Sequence, residues 1–153
     1  MTPVTTERAA VRDARELLAL NQQQLDELFA NSQPGPIPVG KGQGIAMVAN
    51  GTFFGTVARK LIAWFVWKGK FFRPETKDLK NRLTPFGILG IRAKVYVDKS
   101  WKSPGDAIIL DYSKTSFVAS FIRDEIRVVG PGIYLGKVFM GKKHVFDFSV
   151  SFQ

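Results

Sequence analysis

The chain has 153 residues, 45% of them apolar, with 14 Gly, 8 Pro, 13 Phe, no Cys and a formal net charge of +9. That length and apolar content suit one domain with a substantial core and exclude a disordered chain. The lack of Cys excludes a disulfide scaffold, a thiol nucleophile and a Cys-based metal site, and is compatible with the cytosol.

The charge is unevenly placed. Residues 1–32 carry three Arg against five acids, residues 33–103 carry 13 Lys and Arg against three, and residues 104–153 carry six against five. The excess in the middle third fits an anionic partner, such as phospholipid headgroups, nucleic acid or an acidic protein, or simply a soluble basic surface. The opening residues Met1 to Arg8 show no basic stretch leading into an apolar run, so no signal peptide is expected. The longest apolar run, Leu61 to Trp67, is far shorter than the ~20 residues of a spanning helix. The expectation is a cytoplasmic protein, soluble or held peripherally at a membrane.

From Thr6 to Ala30 the apolar residues Ala10, Ala14, Leu17, Leu18, Leu25, Leu28 and Phe29 recur at three- and four-residue intervals, which predicts one amphipathic helix. Thr5 or Thr6 would cap it, and Glu7 suits its first turn. A Pro- and Gly-rich stretch over 31–44 follows, ending in Gly40-Lys41-Gly42-Gln43-Gly44. It is not a phosphate-cradling loop: it follows a linker rather than a strand, and Ile45 to Ala49 reads as a strand rather than a helix.

Asn50-Gly51 signals a turn. Phe53, Val57, Leu61, Trp64 and Phe65 then share a helical face, predicting a second helix over 53–67 with Gly69 as its stop. A hairpin with Thr52–Val57 as a strand is the alternative. As a helix this segment would pack on the core, lie at a membrane interface or cover an apolar cavity.

From Lys70 onward the pattern is β. Ile91, Ala93, Val95 and Val97 alternate with Arg92, Lys94 and Tyr96; Ala107–Tyr112 is a short apolar strand; Gly130-Pro131-Gly132 divides strands at 123–129 and 133–140. Gly141-Lys142-Lys143 makes a hairpin into a last strand whose one face carries His144, Phe146, Phe148, Val150 and Phe152, and whose other carries Val145, Asp147, Ser149 and Ser151. Residues 117–122 fit either a turn or helix leading into a strand. Consecutive strands on tight turns imply an antiparallel meander, which closes readily because closure removes exposed edges. The fold class expected is α+β, mainly β: a small antiparallel lipocalin-like β-barrel over 33–153, with an N-terminal helix over 1–32 packed on it and a second helix near 53–67.

The segments Leu25-Asp26-Glu27-Leu28-Phe29, Gly40-Lys41-Gly42-Gln43-Gly44, Trp67-Lys68-Gly69-Lys70-Phe71-Phe72, Asp111-Tyr112, Ile122-Arg123, Leu135-Gly136-Lys137-Val138 and Phe146-Asp147-Phe148 occur in this order. The order resembles the GXWXG-motif family of uncharacterised proteins and its companion domain of unknown function, with Gly42 where that family has its Trp. The resemblance implies a lipocalin-like barrel with an apolar interior and no inherited reaction.

His144 is the one histidine, so no His-rich metal site is available, and no nucleophile elbow or zinc-protease motif is present. On the apolar face of the last strand, His144 reads as a buried structural residue or, if a cavity lies there, as an acid or base, with Asp147 on the opposite face. Asp111 and Tyr112 are the other candidate catalytic residues. Arg123, Glu125 and Arg127 share one face, read as a solvated row or cross-strand ion pair, or as an anchor for a ligand carboxylate or phosphate. Candidate ligand-binding residues are Trp64, Trp67, Phe72, Tyr96, Tyr112, Arg123 and Tyr134. Lys68, Lys70, Arg73, Lys77, Lys80 and Arg82 with Phe71 and Phe72 mix charge with stacking faces, but without a nucleic-acid-binding motif.

These features point first to a protein that binds an apolar or amphipathic, lipid-like molecule in a barrel cavity, with an anionic membrane surface as a further partner. The alternative is an isomerase or cyclase working without a metal on a polyketide- or terpenoid-like substrate in the same cavity. No cofactor and no metal is expected, and nucleic acid ranks below lipid.

Overall fold

A computed structural model of the chain describes residues 10–47, 67–73, 77–83, 88–113 and 120–152. The chain is mainly β, with an antiparallel sheet and two short helical segments.

The N-terminal helical pattern is broken in two. A 3₁₀ helix, Ala14–Ala19, starts at Asp13, whose side chain accepts from the Arg15 amide. Helix α1, Gln22–Ala30, starts at Asn21. At both starts a capping box forms: the side chain of the third helical residue, Glu16 or Gln24, accepts from the cap residue's amide. Between them Leu20 is extended, at φ −90° and ψ 140°. The single helix predicted over 6–30 is therefore corrected: the capping chemistry of Asn21 restarts a helix that the apolar spacing reads straight through. Thr5 and Thr6 lie outside the described residues.

Eight strands follow: β1 (Gly40–Met47), β2 (Trp67–Arg73), β3 (Asp78–Leu83), β4 (Ile88–Lys99), β5 (Asp106–Asp111), β6 (Ile122–Gly130), β7 (Ile133–Met140) and β8 (Lys143–Ser151). Each pairs antiparallel with the next, and β8 returns to pair with β1, Gln43 opposite Ser151 and Met47 opposite Asp147, so the strand order is closed. The glycine-rich 40–44 segment, placed by sequence ahead of a strand at Ile45, is itself the first part of β1.

Trp67 and Lys68, placed at the end of a helix by sequence, are already strand, and Gly69 lies inside β2 opposite Gln43 and Arg82. The aromatic Trp67, Phe71 and Phe72 suit a strand, and no helix stops at Gly69. The remainder of the helix predicted near 53–67 lies outside the described residues, as do residues 117–119 of the ambiguous 117–122 segment; Ile122 opens β6.

Alternation sorts the side chains into two clusters. Facing inward are Phe72, Ala93, Val95, Ile108, Leu110, Tyr112, Ile126, Tyr134, Val138, Phe148 and Val150. On the outer face, Ala107, Ile109, Val129, Ile133, Leu135 and Met47 pack against Val11, Ala14, Leu17, Leu25 and Phe29 of the N-terminal segment. Leu17 and Phe29 are wholly buried there. The helices thus cover the outside of the sheet and leave its inner face to the strands.

Two glycines mark where strands approach closely. A Cβ on Gly42 would collide with Val150 and Phe152, so the side chains that stand there leave no room for a Trp. A Cβ on Gly136 would strike the buried ring of Phe148 on the paired strand. Gly136→Ala should therefore lower stability by about 1–3 kcal/mol, the usual cost of overpacking, read from the urea midpoint; an unchanged midpoint would mean that the ring can move aside freely.

Candidate functional site

Among the described residues the inner face is an apolar wall that carries a Tyr112–Asp124 pair and the Tyr134 hydroxyl. Phe72 meets Phe152 edge-on with ring centres 5.6 Å apart, and Tyr134 meets Phe152 in the same way at 5.9 Å. Within this wall the Tyr112 hydroxyl donates to Asp124 Oδ2 at 3.2 Å, with both residues buried. Asp124 points inward because it stands opposite Leu110 and Val138, both inward-facing. The Tyr134 hydroxyl donates to the Pro36 carbonyl at 2.6 Å. Burial pushes the Tyr134 hydroxyl's pKa up.

The outer face holds the charges. Lys137, wholly buried, donates to Asp147 Oδ2 at 2.7 Å and to Asp26 Oδ1 of α1 at 2.6 Å. His144 Nε2 lies 2.6 Å from Asp147 Oδ1, and its Nδ1 lies 3.3 Å from Lys102 Nζ. The Nε2–H tautomer satisfies both contacts, donating to the carboxylate and accepting from the ammonium. Gln22 of α1 donates to both Asp147 and Asp26, at 3.0 and 2.9 Å. Lys102 completes the cluster at 3.3 Å from Asp26. Two ammonium groups face two carboxylates, and the array clamps α1 to β7 and β8.

A second array anchors the connection from β4 to β5. Glu125 accepts from the Ser100 hydroxyl at 2.5 Å and the Trp101 amide at 2.7 Å, and forms an ion pair with Arg123 at 3.3 Å. Arg123 also lies 4.1 Å over the Trp101 ring and donates to the Lys99 carbonyl. Arg127 is buried and donates to the carbonyls of Phe29, Pro104 and Asp106 and to the Ser103 hydroxyl. Burial lowers its pKa, against the charges of Glu125 and Asp106.

These positions divide the candidate residues. Phe72, Tyr112 and Tyr134 share the inner face. Tyr96, Asp111, Arg123 and His144 do not. Tyr96 packs on the helix-side cluster and donates to Asp111 at 2.8 Å; burial, then the bond and charge of Asp111, push its pKa up to about 12. Burial alone would raise the Asp111 pKa, but hydrogen bonds from Ser113 and Tyr96 and the charge of Arg123 outweigh it and hold the group low. Trp67 opens β2 opposite Leu83, and Trp64 lies outside the described residues.

Two expectations are corrected. His144 is not on the face of Phe146 and Phe148 but beside Asp147. The β7–β8 register shifts between Val138 and Phe139, and Val145 has no partner in the ladder, so a bulge turns His144 outward. The Arg123-Glu125-Arg127 row is not solvated: Glu125 and Arg127 are buried beneath the 100–105 connection and α1. Arg123 is committed to Glu125 and Trp101 on the outside, so it is no anchor for a ligand inside. The sequence reading missed Asp124, although an acid alternating with Ile122, Ile126 and Val128 marks an inward carboxylate. It also missed Lys137, which carries no such mark. Among the described residues no group of three or more His, Asp or Glu is placed to hold a metal, and no helix is long and apolar enough to cross a membrane.

Comparison with protein-family models gives no match, and comparison with curated proteins gives none. Among solved structures the chain is similar to one described as the crystal structure of protein from Thermomonospora curvata, with 18% identity, a TM-score of 0.64, and coverage of 91% of this chain and 95% of that one. At that identity the likeness shows the fold alone.

Two outcomes test the outer clamp. Lys137→Ala should cost about 3–5 kcal/mol in urea unfolding, because it strands buried Asp147, whereas Lys137→Met with Asp147→Leu should recover much of the loss. A second test uses pH. Burial raises the Asp26 pKa, but bonds from Lys137 and Gln22 and the charges of Lys137 and Lys102 hold it below the usual 3.8. A depressed folded pKa contributes stability at neutral pH that is lost as pH falls below 3.8 through the folded value. The stability gap between the wild-type chain and Asp26→Asn should shrink over that range; a gap independent of pH would remove the clamp's carboxylate from the account.

Proposed function

We propose that the chain binds an apolar or amphipathic small molecule on the inner face of its sheet, as a lipocalin-like barrel does. The observation that carries this reading is the Tyr112–Asp124 pair, buried in a wall of Phe, Ile, Leu and Val. An apolar wall favours an apolar body at roughly 25 cal/mol per Å² removed from water. A few polar groups in such a wall fix the orientation of a ligand's polar end. Asp124 would accept from a ligand hydroxyl or amine, and the Tyr112 hydroxyl, exchanging Asp124 for the ligand, would donate to a ligand oxygen. The basic excess of residues 33–103 supports loading at an anionic membrane surface, and the order of motifs supports kinship with the GXWXG-motif proteins.

The same pair supports a second reading, an isomerase. A carboxylate in an apolar wall can take a proton from a carbon beside a carbonyl and return it to another carbon of the resulting enolate, while a tyrosine hydroxyl bonds the enolate oxygen.

Native mass spectrometry of the purified protein should show a lipid-like adduct, and titration with the apolar fluorophore N-phenyl-1-naphthylamine should saturate. Asp124→Asn and Tyr112→Phe should each weaken that binding by roughly three- to tenfold, the loss of one hydrogen bond. Neither adduct nor saturation would end the binding reading. Turnover that survives both substitutions would end the isomerase reading.

A further inference from the structure

The segment between α1 and β1, Gln33–Val39, is not absorbed by the clamp or by the inner wall. It leaves α1 on the outside of the sheet and must reach β1 past the ends of β6, β7 and β8. At Gln33 it makes a single antiparallel bridge with Val128 of β6, the Val128 amide donating to the Gln33 carbonyl at 3.0 Å. At Pro36 its carbonyl accepts the hydroxyl of Tyr134, whose ring belongs to the inner wall. Pro38 is buried, whereas Ile37 and Val39 are 46% and 62% exposed. β1 begins, β2 ends, β7 begins and β8 ends at this same end, where Phe72, Phe152 and Tyr134 meet. The segment is a strap beside the inner wall at one end of the strands.

Its composition makes it a stiff piece between two pivots. Pro36 and Pro38 fix their own φ and restrict the residues before them. Gly35 and Gly40, on either side, hold φ at 70° and 84°, where a side chain is disfavoured and glycine is not. Among the described residues a Cβ on Gly40, which pairs with Phe72 at the start of β1, would meet nothing within 4 Å, whereas one on Gly35 would strike Val128. The Tyr134 hydroxyl is the side-chain bond on the stiff piece, and it comes from inside.

We propose that Pro36–Val39 is a gate over one end of the inner face, pivoting on Gly35 and Gly40 and latched by the Tyr134 hydroxyl on the Pro36 carbonyl. The proposal rests on the ligand-binding reading given above and adds the route: an apolar ligand enters by displacing the strap, past the exposed Ile37, Val39 and Val97. Ligand occupancy and Tyr134 latching then set the exchange rate.

Two measurements test it, one of them without any ligand. The chain has no Cys, so Pro38→Cys places a single thiol at a buried position in the strap itself. Its labelling rate with a disulfide reagent reports opening, and adding Tyr134→Phe should raise that rate about fivefold, the effect of losing one neutral hydrogen bond. In stopped flow, Tyr134→Phe should raise the association rate of N-phenyl-1-naphthylamine by a similar factor. An unchanged labelling rate overturns the latch. Faster labelling with unchanged fluorophore rates overturns the gate while leaving the binding reading intact. No fluorophore binding at all overturns the gate together with the binding reading.

Discussion

A buried guanidinium sets the terms for the outside of this molecule. Arg127 is almost wholly removed from water, yet its donors meet no carboxylate directly; they meet the carbonyls of Phe29, Pro104 and Asp106 and the hydroxyl of Ser103. A buried charge without partners would be prohibitive. The C-terminal turn of α1 and the connection from β4 to β5 must therefore both be docked before β6 can hold its arginine. The guanidinium also lies 4.5 Å over the Phe29 ring, joining the polar tie to the apolar one.

Among the described residues most of the paired charge lies on one side of the sheet, and the other side is largely apolar. Asp26, Lys102, Lys137, His144 and Asp147 satisfy one another outside. The inward face keeps the Tyr112–Asp124 pair in an apolar wall. The division explains why the residues with the most conspicuous chemistry in the sequence, His144 and Arg123, sit in the outer polar arrays, whereas the carboxylate on the inner wall is an aspartate in an otherwise apolar alternation.

Much of the sheet was legible in the sequence. β4 and the body of β8 follow from alternation, Gly130-Pro131-Gly132 correctly divides β6 from β7, and the spacing of Arg123, Glu125 and Arg127 correctly puts them on one face. What failed did so for identifiable reasons. A bulge at Val145 changes the parity of β8 by one residue, which moves His144 to the other face without altering any residue type. The break at Leu20 is a matter of capping at Asn21, invisible to apolar spacing. Burial of Glu125 and Arg127 depends on what folds over them, and Ser100–Gly105 and α1 are remote in sequence. The pairing of Lys137 with Asp147 is an alignment of two strands, which only the hairpin register determines.

The seam between β1 and β8 carries a consequence for how the chain folds. The hairpins β6–β7 and β7–β8 close on short turns, but Gln43 meets Ser151 and Met47 meets Asp147 across most of the described chain. Loop-closure entropy must be met before such contacts return anything, so pairings of this range form late and slowly. Until they do, β1 and β8 each present an unpaired edge to other chains. The interval between hairpin formation and seam closure is therefore the stage at which folding and aggregation compete.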